Sequence, residues 1–114
     1  MHVDVTTEEG FLRFDVNGKL DSVSSPEFEK IVIGRMEENP KDALFNLEEL
    51  SYVSSAGLRV FLWAAKVAKG NNNRVVLSSL QPLVKEIFDL AGFAQIFTLA
   101  PSLEDALVLL REEA

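Results

Sequence analysis

Two adjacent serines, Ser54 and Ser55, followed by Ala56, Gly57 and Leu58, stand where a short apolar run gives way to an amphipathic one. Upstream, Ala43-Leu44-Phe45-Asn46-Leu47 is almost continuously apolar, the pattern of a strand covered on both faces. Downstream, Leu58, Phe61, Leu62, Ala65 and Ala68 recur at the three-and-four spacing that lines one face of a helix. The serines therefore open a helix, where unpartnered backbone N–H groups and the positive end of the dipole favour an anion. Ser54 fits the N-cap, its oxygen accepting from an orphan N–H, and Ser55 directs its hydroxyl outward. Ala56 and Gly57 leave the shoulder of the turn bare, so another protein's backbone or active site can reach that hydroxyl. Helix capping alone is the simpler role for both serines, and local features favour it.

Most other chemistry is excluded by what the chain lacks. A serine hydrolase needs a histidine and an acid to activate its hydroxyl, and His2 is the only histidine, at the terminus. A receiver domain would close its first strand with paired carboxylates and a later strand with Asp, where this chain offers Val and Ser. There is no glycine-rich phosphate loop with its lysine, and one histidine with no cysteine removes most transition-metal constellations. No metal and no cofactor are expected, and the chain reads as a non-enzyme. Glu48-Glu49 could form a metal-binding pair, but adjacent carboxylates in a loop are more often solvated, and no catalytic role is expected of them. Arg59, one turn into the helix, either holds an anion near Ser55, contacts a partner or is an ordinary surface residue, and Trp63 reads as core or half-buried shoulder.

Val3-Asp4-Val5-Thr6 and Phe11-Leu12-Arg13-Phe14-Asp15-Val16 alternate around Thr7-Glu8-Glu9-Gly10 and predict an antiparallel hairpin. Gly18 to Ser22 reads as a polar loop. Ser24-Ser25-Pro26-Glu27 starts a helix with a cap candidate and a proline suited to its first turn, burying Phe28, Ile31, Val32 and Met36 and ending before Pro40. The helix after Ser55 stops at Gly70. Arg74-Val75-Val76-Leu77 predicts a third interior strand. A helix from Pro82 with Leu83, Val84, Ile87, Phe88 and Ala91 on one face follows, ending at Gly92; Ile96-Phe97-Thr98-Leu99 is a short last strand. Ser102 with Asp105 resembles a capping box opening a terminal helix that buries Leu103, Ala106, Leu107 and Leu110. The fold class is α/β: a mixed sheet of about five strands, an antiparallel hairpin then parallel strands, packed with about four helices in right-handed crossovers. Sites in such sheets lie outside the carboxyl ends of strands, where Ser54 and Ser55 stand.

The 114 residues, 47% of them apolar, make one domain over 1–114 able to bury a core without a metal or disulfide. No cysteine, no secretory signal and no apolar stretch of about 20 residues point to a soluble, cytoplasmic protein with no membrane partner. The net charge of −7 opposes direct nucleic-acid binding.

Gly18-Lys19-Leu20-Asp21, the stretch from Asn46-Leu47 through Val60, and Leu90-Ala91-Gly92-Phe93 leading to Leu103-Glu104-Asp105-Ala106-Leu107 together resemble a STAS domain. More narrowly, the chain resembles the bacterial anti-sigma factor antagonists, whose signature is a strand, then Asp or Ser, then Ser, a small residue, Gly and Leu at a helix start; here it reads Ser54-Ser55-Ala56-Gly57-Leu58. The resemblance covers nearly the whole chain and implies a STAS-like fold. It implies Ser55 as the phosphorylated serine and Asp21 as the loop aspartate beside it. Ser54 stands where many members carry Asp, so Ser54 is either a second acceptor or a hydrogen-bonding neighbour replacing the carboxylate. Asp21, Ser54, Ser55, Ala56, Gly57 and Arg59 form the expected partner surface. The implied partner is an anti-sigma factor that is also an ATP-dependent serine kinase; it is captured, a sigma factor is freed, phosphorylation ends the capture, and a metal-dependent serine phosphatase resets the switch. The alternative is a sensor or scaffold on the same fold, binding a small ligand or another regulatory protein without phosphorylation.

Overall fold

The computed structural model describes residues 1–112. The opening hairpin is β1 (His2–Glu8) and β2 (Phe11–Leu20), paired antiparallel with Val3 opposite Val16 and Thr7 opposite Leu12. Gly10, at φ +90°, takes the left-handed conformation that the tight turn between them requires. The first half of β2 then pairs in parallel with β3 (Asp42–Asn46), which pairs with β5 (Val75–Ser78), and that with β6 (Thr98–Ala100). The strand order is β1-β2-β3-β5-β6, and a sixth strand, β4 (Leu50–Val53), pairs with β2 off this path.

That sixth strand changes the expected count and replaces the polar loop expected from Gly18. Residues 17–20 belong to β2, whose second half leaves β3 and pairs in parallel with β4, Lys19 opposite Tyr52 and Leu20 opposite Val53. The register shifts between Gly18 and Lys19; Gly18 adopts φ +95°, its N–H donates to the Glu49 carbonyl (2.9 Å), and its carbonyl accepts from Ser51 Oγ (3.2 Å). A bulge at glycine bends one long strand so that it serves two partners.

Alternation along β2 separates two layers. Leu12, Phe14 and Val16 face the main core with Phe45 and Leu77, covered by helices α1 (Ser25–Glu38), α2 (Ser55–Gly70) and α3 (Pro82–Leu90) through Phe28, Phe61 and Phe88. Phe11, Leu44 and Val76 face the other way, under Ala106 and Leu110 of α4 (Leu103–Glu112). Phenylalanine rings run through the main core: Phe14 stacks on Phe45 (centroids 4.8 Å), Phe45 meets Phe61 edge-on (5.3 Å), and Phe61 meets Phe88 (5.4 Å). Each such contact contributes about 0.5–1.5 kcal/mol beyond area burial.

Helix faces differ from expectation in detail. On α1 Val32 and Ile33 are buried and Ile31 only partly; on α3 Val84 and Phe88 are buried while Leu83, and Ala91 just past the helix end, are exposed. After α2 the left-handed residue is Asn72 (φ 58°), with Gly70 the last helical residue. β6 starts two residues later than the periodicity suggests, because a 3₁₀ turn over Phe93–Gln95 follows the left-handed Gly92 (φ 75°) and leaves Ile96 exposed before Phe97 enters the core. Ser102 Oγ accepts from the Asp105 N–H (3.1 Å), the cap expected for α4. Among the described residues no helix is long and apolar enough to cross a membrane.

Candidate functional site

The β4–α2 junction is held from three directions. Val53 ends β4 opposite Leu20, and the next residue, Ser54, is tied to the same strand by its N–H donating to the Leu20 carbonyl (2.7 Å). Ser54 has extended backbone (φ −87°, ψ 174°), and its Oγ accepts from the Gly57 N–H (3.2 Å), so it is the N-cap of α2. Its carbonyl accepts from the Leu58 N–H (2.9 Å), closing the first helical bond. Both the backbone and the hydroxyl of Ser54 are thus engaged. Ser55, the first residue of α2, is exposed, and no side-chain hydrogen bond forms at its Oγ among the described residues. The N–H groups of Ser55 and Ala56, like all those of a first turn, have no acceptor inside the helix, and no acidic residue stands in that turn to complement them.

Gly57 corrects one expectation. It is buried and faces inward: a Cβ there would lie 2.8 Å from Val53 Cγ2 and 3.0 Å from Leu20 Cβ. Its missing side chain lets the start of α2 sit against the ends of β2 and β4, rather than clearing a path to solvent. Ala56 is partly buried and Arg59 exposed one turn on, where no ion pair holds Arg59 among the described residues.

Asp21 follows Leu20 as Ser54 follows Val53, so the parallel register carries both residues to the same end of the sheet. Asp21 is exposed, and its Oδ1 accepts from the N–H groups of Ser24 (2.9 Å) and Val23 (3.0 Å) and from Ser24 Oγ (3.0 Å). The Ser24 backbone N–H and then the Ser24 hydroxyl, both bonding the charged form, hold this carboxyl below the usual aspartate value. Ser24 is the N-cap residue of α1 but makes no side-chain cap bond; its Oγ accepts from the Asp21 N–H (3.0 Å), and Asp21 organises the loop instead. The only histidine, His2, opens the edge strand β1 and bonds Asp4 (3.0 Å). Glu48 and Glu49 are exposed, and among the described residues no group of three or more His, Asp or Glu side chains is arranged to hold a metal ion.

Periodicity alone did not mark β4, whose pairing with Gly18–Leu20 is what brings Asp21 and Ser54 to one edge. The STAS domain model matches residues 2–106. The chain belongs to the STAS domain family. Among curated STAS relatives, BtrV of Bordetella bronchiseptica, provisionally named an anti-sigma factor antagonist, is 34% identical over 98 residues, covering 86% of this chain and 84% of its own. The anti-sigma-B factor antagonist of Staphylococcus aureus is 25% identical over 96 residues, covering 84% and 89%. The fold is that of the anti-sigma factor antagonist SpoIIAA in its unphosphorylated form, with a TM-score of 0.84 at 18% identity over 97% of each chain. SpoIIAA from Bacillus in its phosphorylated form gives 0.76 at 17% identity, over 96% of this chain and 100% of that one. This STAS chain therefore shares its fold with both forms of SpoIIAA.

Proposed function

We propose that the protein is an anti-sigma factor antagonist switched by phosphorylation of Ser55. In its unmodified form it captures an anti-sigma factor that is also an ATP-dependent serine kinase, and so frees a sigma factor for transcription. The kinase then transfers the γ-phosphoryl group of ATP to Ser55 Oγ: the bond to ADP breaks, the new P–O bond forms, and the hydroxyl proton leaves to a base on the kinase. The phosphoprotein is released, and a metal-dependent serine phosphatase restores the hydroxyl. This chain is the acceptor and supplies no base of its own.

The observation that carries the reading is the division of labour between the two serines. Ser54 Oγ is occupied by the Gly57 N–H, whereas Ser55 is exposed at the first position of a helix whose partial positive charge suits a phosphate. The names of the sequence relatives support the class of partner, and the existence of SpoIIAA in two phosphorylation states supports a switch on this fold. Asp21, next to Ser54 across the sheet edge, is proposed as part of the surface the partner touches, with Ala56 and Arg59 beside it.

The test is phosphopeptide mapping after incubation with the anti-sigma kinases of the source organism and ATP. One phosphate is expected on Ser55, lost in Ser55→Ala and kept in Ser54→Ala. Label that persists undiminished in Ser55→Ala and vanishes in Ser54→Ala overturns the assignment.

A further inference from the structure

Helix α2 runs against the charge of the rest of the molecule. The chain holds 18 acidic and 11 basic residues, yet α2 contains Arg59, Lys66 and Lys69 and no carboxylate. Ser55, Arg59, Leu62, Lys66 and Lys69 follow one another at spacings of four and three, which places them on a single ridge of the helix. All but Leu62 are exposed, and Leu62 is partly so. Beside the ridge stands the only tryptophan, Trp63, 48% exposed, the half-buried shoulder of the two positions expected for it. Lys66 Nζ lies 5.9 Å from its ring centroid, so the ring is flanked by a cation. Neither Lys66 nor Lys69 has an ion-pair partner among the described residues. At the far end the ridge opens into a depression of about 530 Å³, with Leu62 and Ile96 among apolar lining and Lys66, Lys69, Asn73 and Gln95 among polar lining. Arg74, also on this wall, is ion-paired with Asp42 (3.2 Å).

Two lysines near the carboxyl end of a helix complement its dipole, which accounts for their sign. It does not account for an exposed tryptophan between cations that have no ion-pair partner among the described residues, or for the absence of any compensating carboxylate along a helix of 16 residues in a chain of net charge −7. Tryptophan and arginine are the side chains most enriched at binding hot spots. We propose that the α2 ridge from Arg59 to Lys69 is the docking strip for an acidic amphipathic helix of the anti-sigma kinase, its apolar side chains on Leu62, Trp63 and Ile96 and its carboxylates on Arg59, Lys66 and Lys69. The inference rests on the proposed function and extends it about 21 Å along α2 from Ser55, at 1.5 Å per residue. It also gives the phosphate a second way to act: a dianion at Ser55 stands at one end of a strip built for negative charge and repels its occupant.

The experiment measures binding of the kinase that labels Ser55 to wild-type protein, to Lys66→Glu/Lys69→Glu, and to Lys30→Glu/Lys41→Glu, which makes the same charge change elsewhere. Thermal unfolding confirms folding of each, and Lys66→Gln/Lys69→Gln serves if charge reversal prevents it. Expected is a loss of affinity of about tenfold or more for Lys66→Glu/Lys69→Glu, several-fold for the Gln pair and under about twofold for the control, with wild-type affinity falling as salt rises. Unchanged affinity in a Lys66/Lys69 variant whose Ser55 is still phosphorylated overturns the docking strip and leaves the Ser55 reading intact. Failure of every kinase to bind or label the wild-type protein overturns the Ser55 reading, and the strip falls with it. Tripolyphosphate that quenches Trp63 emission at micromolar concentration, with kinase affinity independent of Lys66 and Lys69, identifies a small-anion site and also overturns the proposal.

Discussion

At the scale of a residue, Asp21 shows how an exposed carboxylate can organise a loop without a cation. Three donors converge on one of its oxygens, two of them backbone N–H groups, and together they hold its pKa below the ordinary value. A depressed carboxyl pKa contributes stability that is present above the unfolded value and is lost as pH falls through the folded one. Asp21→Asn keeps an oxygen acceptor and removes the charge, so it isolates that contribution. We expect the variant to be less stable than wild type at neutral pH, by a small amount because the loop is open to solvent. The gap should narrow once pH drops below the ordinary carboxylate range and close where Asp21 is protonated in the folded protein. Urea unfolding of both proteins from about pH 7 to about pH 3 reads this difference directly, since other titrations are common to both. A gap that widens toward acid would show that the hydrogen bonds favour the neutral form.

At the scale of an element, the start of α2 is seated by a glycine. Helix propensity favours alanine over glycine by about 1 kcal/mol, so Gly57→Ala should stabilise α2 if space allowed. Space does not allow it: the new methyl would meet Leu20 Cβ, fixed to its backbone, at 3.0 Å and Val53 Cγ2 at 2.8 Å. Overpacking of this kind costs about 1–3 kcal/mol, and we expect the clash to win, lowering Tm by roughly 4–8 °C for each kcal/mol of net loss. A thermal scan showing a more stable Gly57→Ala protein would mean that the junction is looser than its geometry indicates. The same junction separates what the sequence made legible from what it concealed. Ser54 as N-cap, the exposure of Ser55 and the extent of α2 follow from local rules of capping and periodicity, and the structure agrees. The inward role of Gly57 was hidden because it depends on Leu20, far away in the chain. β4 was hidden for a related reason. Leu50 to Val53 alternates too little to announce a strand, and its partner is the bulged, glycine-containing end of β2, which has the composition of a loop. Likewise Leu83, at helical spacing with Val84 and Phe88 and yet 52% exposed, shows that periodicity identifies a helix more reliably than it marks the edge of its buried face.

At the scale of the whole molecule, the question is whether the proposed phosphorylation of Ser55 would act through the fold or through the surface. The core that supports α2 runs from Phe14 through Phe45 and Phe61 to Phe88, all buried, and Ser55 lies outside it. A phosphate there adds about −1.5 to −2 charges at a helix N-terminus, a location where a surface anion typically gains about 0.3–1 kcal/mol. Against this stands the net charge of −7, whose self-repulsion the phosphate increases, although at physiological salt the Debye length of about 8 Å limits that term to near neighbours. The two effects oppose each other and both are small, so the free domain should keep its Tm within a few degrees. The complex has no such balance. In the proposed complex a dianion pressed against a partner surface shaped for a neutral hydroxyl, and facing the carboxylates of the partner helix proposed to dock on α2, would lose several kcal/mol of hydration that nothing replaces, which corresponds to at least about a hundredfold loss of affinity. Ser55→Asp, with less charge and fewer acceptor oxygens, should fall between the unmodified and phosphorylated proteins in affinity while matching both in stability. Calorimetric titration with the anti-sigma kinase and thermal unfolding of the three forms decide the matter. A marked drop in Tm with unchanged affinity would place the switch in the fold, and would remove the reason for an exposed acceptor on a rigid helix start.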